Sequence, residues 1–208
     1  MNKDDIVRAI VTMSSTGGKG FLVPGNLILT AAHCLGNCTN EGEIILGDHF
    51  IEKVITNKGD ELKVKPLFIE LVSDIAVLGV LDAQDCGDED EKYEAFCERT
   101  KPIPICARRF TPQDKFPVHI YTHKNTWITG FAEQYYNPQF LLILTNEQIE
   151  RGTSGSPIVN DAGEIVGVVS NFNEAAEVNG QCNGKAPNPY GAVPSWIIEQ
   201  MMAERTND

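Results

Sequence analysis

Gly152-Thr153-Ser154-Gly155-Ser156-Pro157 is the stretch on which the reading of this chain turns. It lies between two short apolar runs, residues 140–145 and 157–160, and so in a turn between strands. A serine between glycines can expose its hydroxyl on a tight backbone. The neighbouring N–H groups, those of Gly152 and Ser154, can then converge on one point and bind developing negative charge. Position 156 is serine and no βαβ pattern surrounds the segment, so it is not a Gly-x-Ser-x-Gly elbow. By itself it also fits an ordinary Gly/Ser surface turn.

Two segments further up the chain change its weight. Leu29-Thr30-Ala31-Ala32-His33-Cys34 ends an apolar run in small residues and delivers a histidine into a turn. Ser73-Asp74-Ile75-Ala76-Val77-Leu78 opens an apolar run with an aspartate, which stays ionised when buried only if a group such as histidine donates to it. Alone, each fits a structural role. Together they stand in the order His33, Asp74, Ser154, separated by 41 and 80 residues.

Around these motifs the apolar runs are short: 6–12, 21–23, 26–30, 43–46, 50–55, 62–71 and 75–81, then 117–122, 126–131, 140–145, 157–160 and 164–170. Each is rich in Val, Ile, Leu or Phe, and turn residues separate them. Such spacing predicts an all-β barrel or sandwich. Asn160-Asp161-Ala162-Gly163 predicts a hairpin turn. Residues 82–99 hold eight acids and two bases, which predicts an exposed acidic loop. Pro102-Ile103-Pro104-Ile105-Cys106 predicts an extended connector between two halves. Pro194-Ser195 before Trp196, Ile197, Ile198, Met201 and Met202 predicts a capped C-terminal amphipathic helix.

The three motifs resemble those of chymotrypsin-like serine proteases, in which Thr-Ala-Ala-His-Cys, Asp-Ile-Ala and Gly-x-Ser-Gly-x-Pro recur in this order. The resemblance covers roughly residues 6–204. Ile149-Glu150-Arg151-Gly152-Thr153-Ser154-Gly155 and Tyr190-Gly191-Ala192-Val193-Pro194-Ser195 are similar to the bacterial trypsin-like, HtrA-like branch. Lys101-Pro102-Ile103-Pro104-Ile105-Cys106 resembles the inter-barrel segment of animal trypsins. The resemblance implies an all-β fold of two six-stranded Greek-key β-barrels with a C-terminal α-helix. Residues 1–100 would form the half carrying His33 and Asp74, 101–194 the half carrying Ser154, and 195–208 the helix, together one peptidase domain. It also implies a serine endopeptidase with His33, Asp74 and Ser154 as triad and an oxyanion hole of Gly152 and Ser154. Ser170 would pair its backbone with the substrate chain. Gln148, six residues before the nucleophile, with Asn171 and Phe172, would line the substrate pocket, and no acid there selects Arg or Lys.

The chain departs from that pattern in two places. Secreted zymogens of the family carry an aspartate before the nucleophile, which pairs with a new N-terminus after cleavage. Thr153 stands there, and Ile6-Val7 lies between Asp5 and Arg8, so trypsin-type zymogen activation is not expected. The oxyanion loop is then either preformed or ordered by an activating protein partner. The partner of Cys34 in animal trypsins lies about 16 residues upstream, where this chain has Gly17-Gly18-Lys19-Gly20. Cys34 could instead pair with Cys38, and Cys86 with Cys97 across the acidic segment. Reduced thiols packed as small apolar groups are the competing expectation.

Composition narrows the function further. Seventeen bases against 29 acids give a net charge of −12 over 208 residues. That sign disfavours nucleic acid and anionic membrane surfaces, and no run reaches the length of a spanning helix. The start lacks the apolar core of a signal peptide. A native Met1 would place the protein in the cytoplasm, whereas a trimmed mature form would be secreted. His119 and His123 have helix-like spacing in a β context, and Asp85, Asp88 and Asp90 lack the calcium-loop pattern, so neither a metal nor any cofactor is expected. Asn37-Cys38-Thr39 is a glycosylation sequon that matters only in a secreted eukaryotic chain. After the protease unit no length remains for a PDZ-type domain. The rival reading is a protease-fold binding or scaffold protein, inactive or active only with a partner.

Overall fold

The computed structural model describes residues 2–36, 39–40, 43–44, 51–71, 73–81, 88–111, 114–134, 141–170 and 190–194. Helix α1 (Lys3–Ala9) leads into strands β1 (Ile10–Met13), β2 (Lys19–Val23) and β3 (Leu27–Thr30). A small hairpin of β4 (Thr39–Asn40) and β5 (Glu43–Ile44) follows, then β6 (Glu52–Thr56), β7 (Glu61–Glu70) and β8 (Ile75–Gly79). Helix α2 (Glu89–Arg99) precedes β9 (Lys115–Tyr121), β10 (Trp127–Gln134), β11 (Leu141–Thr145), β12 (Pro157–Val159), β13 (Ile165–Val169) and β14 (Tyr190–Pro194).

The strands close into two six-stranded barrels, β1-β2-β3-β8-β7-β6 and β9-β10-β11-β14-β13-β12. Both trace the same path: three consecutive antiparallel strands, then a jump across the barrel to three more. The expected Greek-key double barrel is therefore present. Period-two burial drives β6, where Glu52, Val54 and Thr56 point in while Lys53 and Ile55 point out. Strands β2, β8 and β13 are buried at every position, because both of their faces are covered. Phe21, Leu22, Ile28, Leu29 and Leu78 fill the first barrel, and Val118, Ile120, Ile143, Ile158 and Val166 the second. Val159, Ile165 and Val168 of the second barrel belong to the apolar cluster of the first.

The proline-rich connector joins both barrels. Ile103 N–H donates to Leu22 O at 2.9 Å, Ile165 N–H to Pro104 O at 2.8 Å and Cys106 N–H to Ile165 O at 2.9 Å. The β12–β13 hairpin forms at Asn160–Gly163 as its turn chemistry predicts, with Gly163 at φ 85°.

Three expectations need correction. The apolar run at 6–12 is not one strand. Asn2 caps a helix, accepting from Asp4 N–H at 3.2 Å, and the chain becomes extended only at Ile10. Nor is the acidic segment all loop. Residues 89–99 form α2, with Tyr93, Phe96 and Cys97 buried. These lie at i, i+3 and i+4, a helical stripe that the surrounding acids hide from a composition count. Glu89, Asp90 and Glu91 occupy the first turn, where the helix dipole favours negative charge. Finally, Cys97 is a reduced thiol, not one end of a staple, and neither Cys34 nor Cys106 forms a disulfide. Burial pushes the Cys97 thiol up to about 11, which keeps it protonated and unreactive. Cys38, Cys86 and Cys182 lie outside the described residues, as do residues 195–208 with the expected C-terminal helix.

The Tyr93 hydroxyl fastens α2 to the β2–β3 turn by donating to Asn26 O at 2.7 Å. Tyr93→Phe should lower stability by about 1 kcal/mol, read as a drop in the urea midpoint at unchanged m-value.

Candidate active site

The first barrel builds a histidine–carboxylate pair. Strand β3 ends at Thr30, and fully buried Ala31 and Ala32 let the backbone close into a single 3₁₀ turn, Ala32–Cys34. That turn is gripped by Asp74, which stands at φ 52° just before β8. Ala32 N–H donates to Asp74 O at 3.1 Å, and His33 N–H donates to Asp74 Oδ1 at 2.9 Å. His33 Nδ1 lies 2.7 Å from Asp74 Oδ2, and Ser170 Oγ donates to the same oxygen at 2.5 Å.

This geometry sets the charges. Burial alone would lower the His33 pKa, but hydrogen bonds to Asp74 and to the Cys34 sulfur outweigh it and hold the ring above its ordinary 6.5. Burial likewise opposes the Asp74 charge, and the bonds to His33 and Ser170 override it, holding the carboxyl below its ordinary 3.8. The stabilisation carried by His33 is complete below 6.5 and is lost as pH rises through its raised pKa. That carried by Asp74 is complete above 3.8 and is lost as pH falls through its lowered pKa.

The second barrel supplies the serine loop, which is pinned from several sides. Lys19 N–H donates to Ser154 O at 2.7 Å, Gly155 N–H to Val169 O at 2.7 Å and Ser156 Oγ to Tyr121 O at 2.9 Å. Gly152 and Gly155 adopt φ 89° and 79°, values that a side chain would strain. A Cβ on Gly155 would lie 1.9 Å from Lys19 O and 2.6 Å from Thr30 Oγ1, so only glycine fits where this loop meets the first barrel.

Between the barrels lies a cleft of about 740 Å³. His33, Gln148, Gly152, Ser154 and Ser170 line it, and Asp74 stands behind His33. Asn171 and Phe172 lie outside the described residues. The Ser154 hydroxyl and the N–H groups of Gly152 and Ser154 have no hydrogen-bond partner among the described residues, so all three remain available to a ligand in the cleft. The nearest hydrogen-bonding contact of His33 Nε2 is Cys34 Sγ at 3.7 Å.

Four contacts were not legible from the motifs. Ser170 reaches Asp74 with its hydroxyl, beyond any role of its backbone. His119 and His123 diverge: His119 Nε2 meets Asp161 Oδ1 at 2.8 Å, while His123 meets Thr153. A Cβ on Gly18 would fall 2.4 Å from Cys34 Sγ, so the thiol fills the space where the resemblance places its partner.

A family model described as "Trypsin-like peptidase domain" matches residues 18–168. Among solved structures, a serine endoprotease from Yersinia pestis is similar, with a TM-score of 0.61 and 19% identity over 99% of this chain. The chain spans 65% of the length of that protein. No curated protein sequence matches.

Proposed function

Because the chain belongs to the trypsin-like peptidase domain family, we propose that it is a serine endopeptidase acting through His33, Asp74 and Ser154. The observation that carries this reading is the double grip of Asp74 on His33, beside a serine with a free hydroxyl in the same cleft. Both barrels and the terminal segment 195–208 are read as one peptidase domain.

The chemistry follows from these positions. His33 Nε2 takes the hydroxyl proton as Ser154 Oγ attacks the substrate carbonyl carbon. The carbonyl electron pair moves to oxygen, where the N–H groups of Gly152 and Ser154 receive the charge. Collapse expels the amine, which accepts the proton from His33 and leaves an acyl-enzyme. Water, deprotonated by His33, attacks the ester and restores Ser154. Asp74 stays ionised throughout, fixing the tautomer and stabilising the imidazolium. Ser170 offers its backbone to the substrate chain, and Gln148 lines the pocket for a protein or peptide side chain, a role the sequence also assigns to Asn171 and Phe172. Side chains, backbone N–H groups and water suffice for every step, so no cofactor is invoked.

Activation of the trypsin type is absent from this reading. Ile6 is buried in the apolar cluster of the first barrel and Lys3 Nζ lies 5.2 Å from the Trp127 ring centre, which gives residues 3–9 a structural role.

A fluorophosphonate probe tests the proposal. Wild-type protein should label covalently, and Ser154→Ala should not. A folded wild type that stays unlabelled would overturn the proposal and favour the scaffold reading.

A further inference from the structure

The oxyanion loop needs a brace, since Thr153 cannot make the ion pair that an aspartate makes there. Thr153 is fully buried, and its hydroxyl accepts from His123 N–H at 3.3 Å. His123 Nδ1 lies 3.4 Å from the same oxygen. His123 Nε2 stands 3.6 Å from Glu150 Oε2, and Lys124 Nζ donates to Glu150 Oε1. Glu150 O in turn accepts from Thr153 N–H at 3.2 Å, which closes residues 150–153 into a turn. A Cβ on Gly152 would come within 3.3 Å of His123 Cβ, so the imidazole stem backs directly onto the residue proposed to donate to the oxyanion.

The platform behind these contacts is closed by its own hydrogen bonds. His123 sits at the tip of the β9–β10 hairpin, where Thr122 N–H donates to Thr126 O at 2.8 Å and Asn125 N–H to Thr122 O at 3.0 Å. The Thr122 and Thr126 hydroxyls are 3.0 Å apart. Tyr121, one residue before this tip, accepts from Ser156 Oγ. One hairpin end thus holds the serine loop on both sides of Ser154.

We propose that His123 is a positioning residue: from the β9–β10 hairpin tip it holds Thr153 and Glu150 so that Gly152 and Ser154 keep their N–H groups converged. The loop is then preformed by contacts within the chain. The buried Thr153 hydroxyl is the firm anchor, while the exposed Glu150 pair adds little. This rests on the serine-protease reading above.

The test compares His123→Ala, Thr153→Val and the double variant. Removing one oxyanion donor lowers kcat roughly 100- to 1,000-fold, and loosening the loop should forfeit part of that. Each single variant should therefore lose roughly 10- to 100-fold in kcat on a peptide ester, with KM within about twofold. The double variant should be little worse than either single, and Thr153→Ser should recover most of the rate. A rise in KM at wild-type kcat, or multiplicative losses, would overturn the proposal. A second readout needs no catalysis. In a Ser154→Ala background, amide hydrogen exchange over residues 150–156 should accelerate at least tenfold on His123→Ala, while exchange in β2 and β8 stays constant. Equal exchange over 150–156 would overturn the brace, whereas failure of the wild type to label would count only against the protease reading.

Discussion

Asparagine at position 74 is expected to lower kcat by about 10,000-fold in a protein that still folds. The carboxylate receives three donors, from His33 N–H, His33 Nδ1 and Ser170 Oγ. An amide keeps the shape but has one oxygen, and its NH₂ faces a ring nitrogen or hydroxyl that was donating. His33 must then flip tautomer or lose its partner, and the nitrogen facing the cleft ceases to be a base. The pH profile separates this from simple disruption. Only neutral imidazole accepts the Ser154 proton, so activity rises with pH through the His33 pKa. Asp74 and the Cys34 sulfur hold that pKa above 6.5 against the opposing effect of burial. The wild-type limb should therefore lie above 6.5, and the residual limb of Asp74→Asn at lower pH. Loss of activity with no movement of the limb would show that Asp74 matters only for folding.

Gly155→Ala is the second large expected effect, and it acts through packing. The new methyl meets Lys19 O at 1.9 Å and Thr30 Oγ1 at 2.6 Å, and the main obstacle is backbone, with no rotamer to yield. The φ of 79° adds strain for any side chain. Left-handed strain and overpacking together should destabilise the protein by roughly 3–5 kcal/mol. For a chain of this size that is a fall in Tm of roughly 10 °C. Relief requires the serine loop to back away from β2, breaking the Lys19 N–H bond to Ser154 O. Activity below the melting range should drop as well, because Ser154 retreats from His33. Thermal denaturation beside ester hydrolysis checks both. Wild-type values for either would show that the loop has slack the geometry does not suggest.

The all-β architecture was legible in the short apolar runs, and the double barrel in the family resemblance that the three ordered motifs carry. What stayed hidden had physical reasons. Helix α2 was obscured because its buried stripe is only Tyr93, Phe96 and Cys97 among dense acids, and a count over residues weighs charge without direction. The helical start of the run at 6–12 was obscured because apolar content alone does not distinguish a helix face from a strand, and the cap at Asn2 decided it. At the site, His33, Gly152, Ser154, Gln148 and Ser170 share one cleft with Asp74 behind His33; the ordered motifs name His33, Asp74 and Ser154, while Gln148 and Ser170 come from the family resemblance. The contact between His123 and Thr153 spans 30 residues and has no local signature. It became visible only once the hairpin placed its tip against the loop.

The apolar cluster that reaches from the first barrel to Val159, Ile165 and Val168 of the second has a consequence for how the molecule fails. Neither barrel can withdraw without exposing interior shared with the other. The connector, hydrogen-bonded to Leu22 on one side and Ile165 on the other, tightens that dependence. His33 and Ser154 sit on opposite banks of the seam, so their registration should depend on both barrels at once. Heat or denaturant should find no half-assembled cleft: it persists as a unit or vanishes as one.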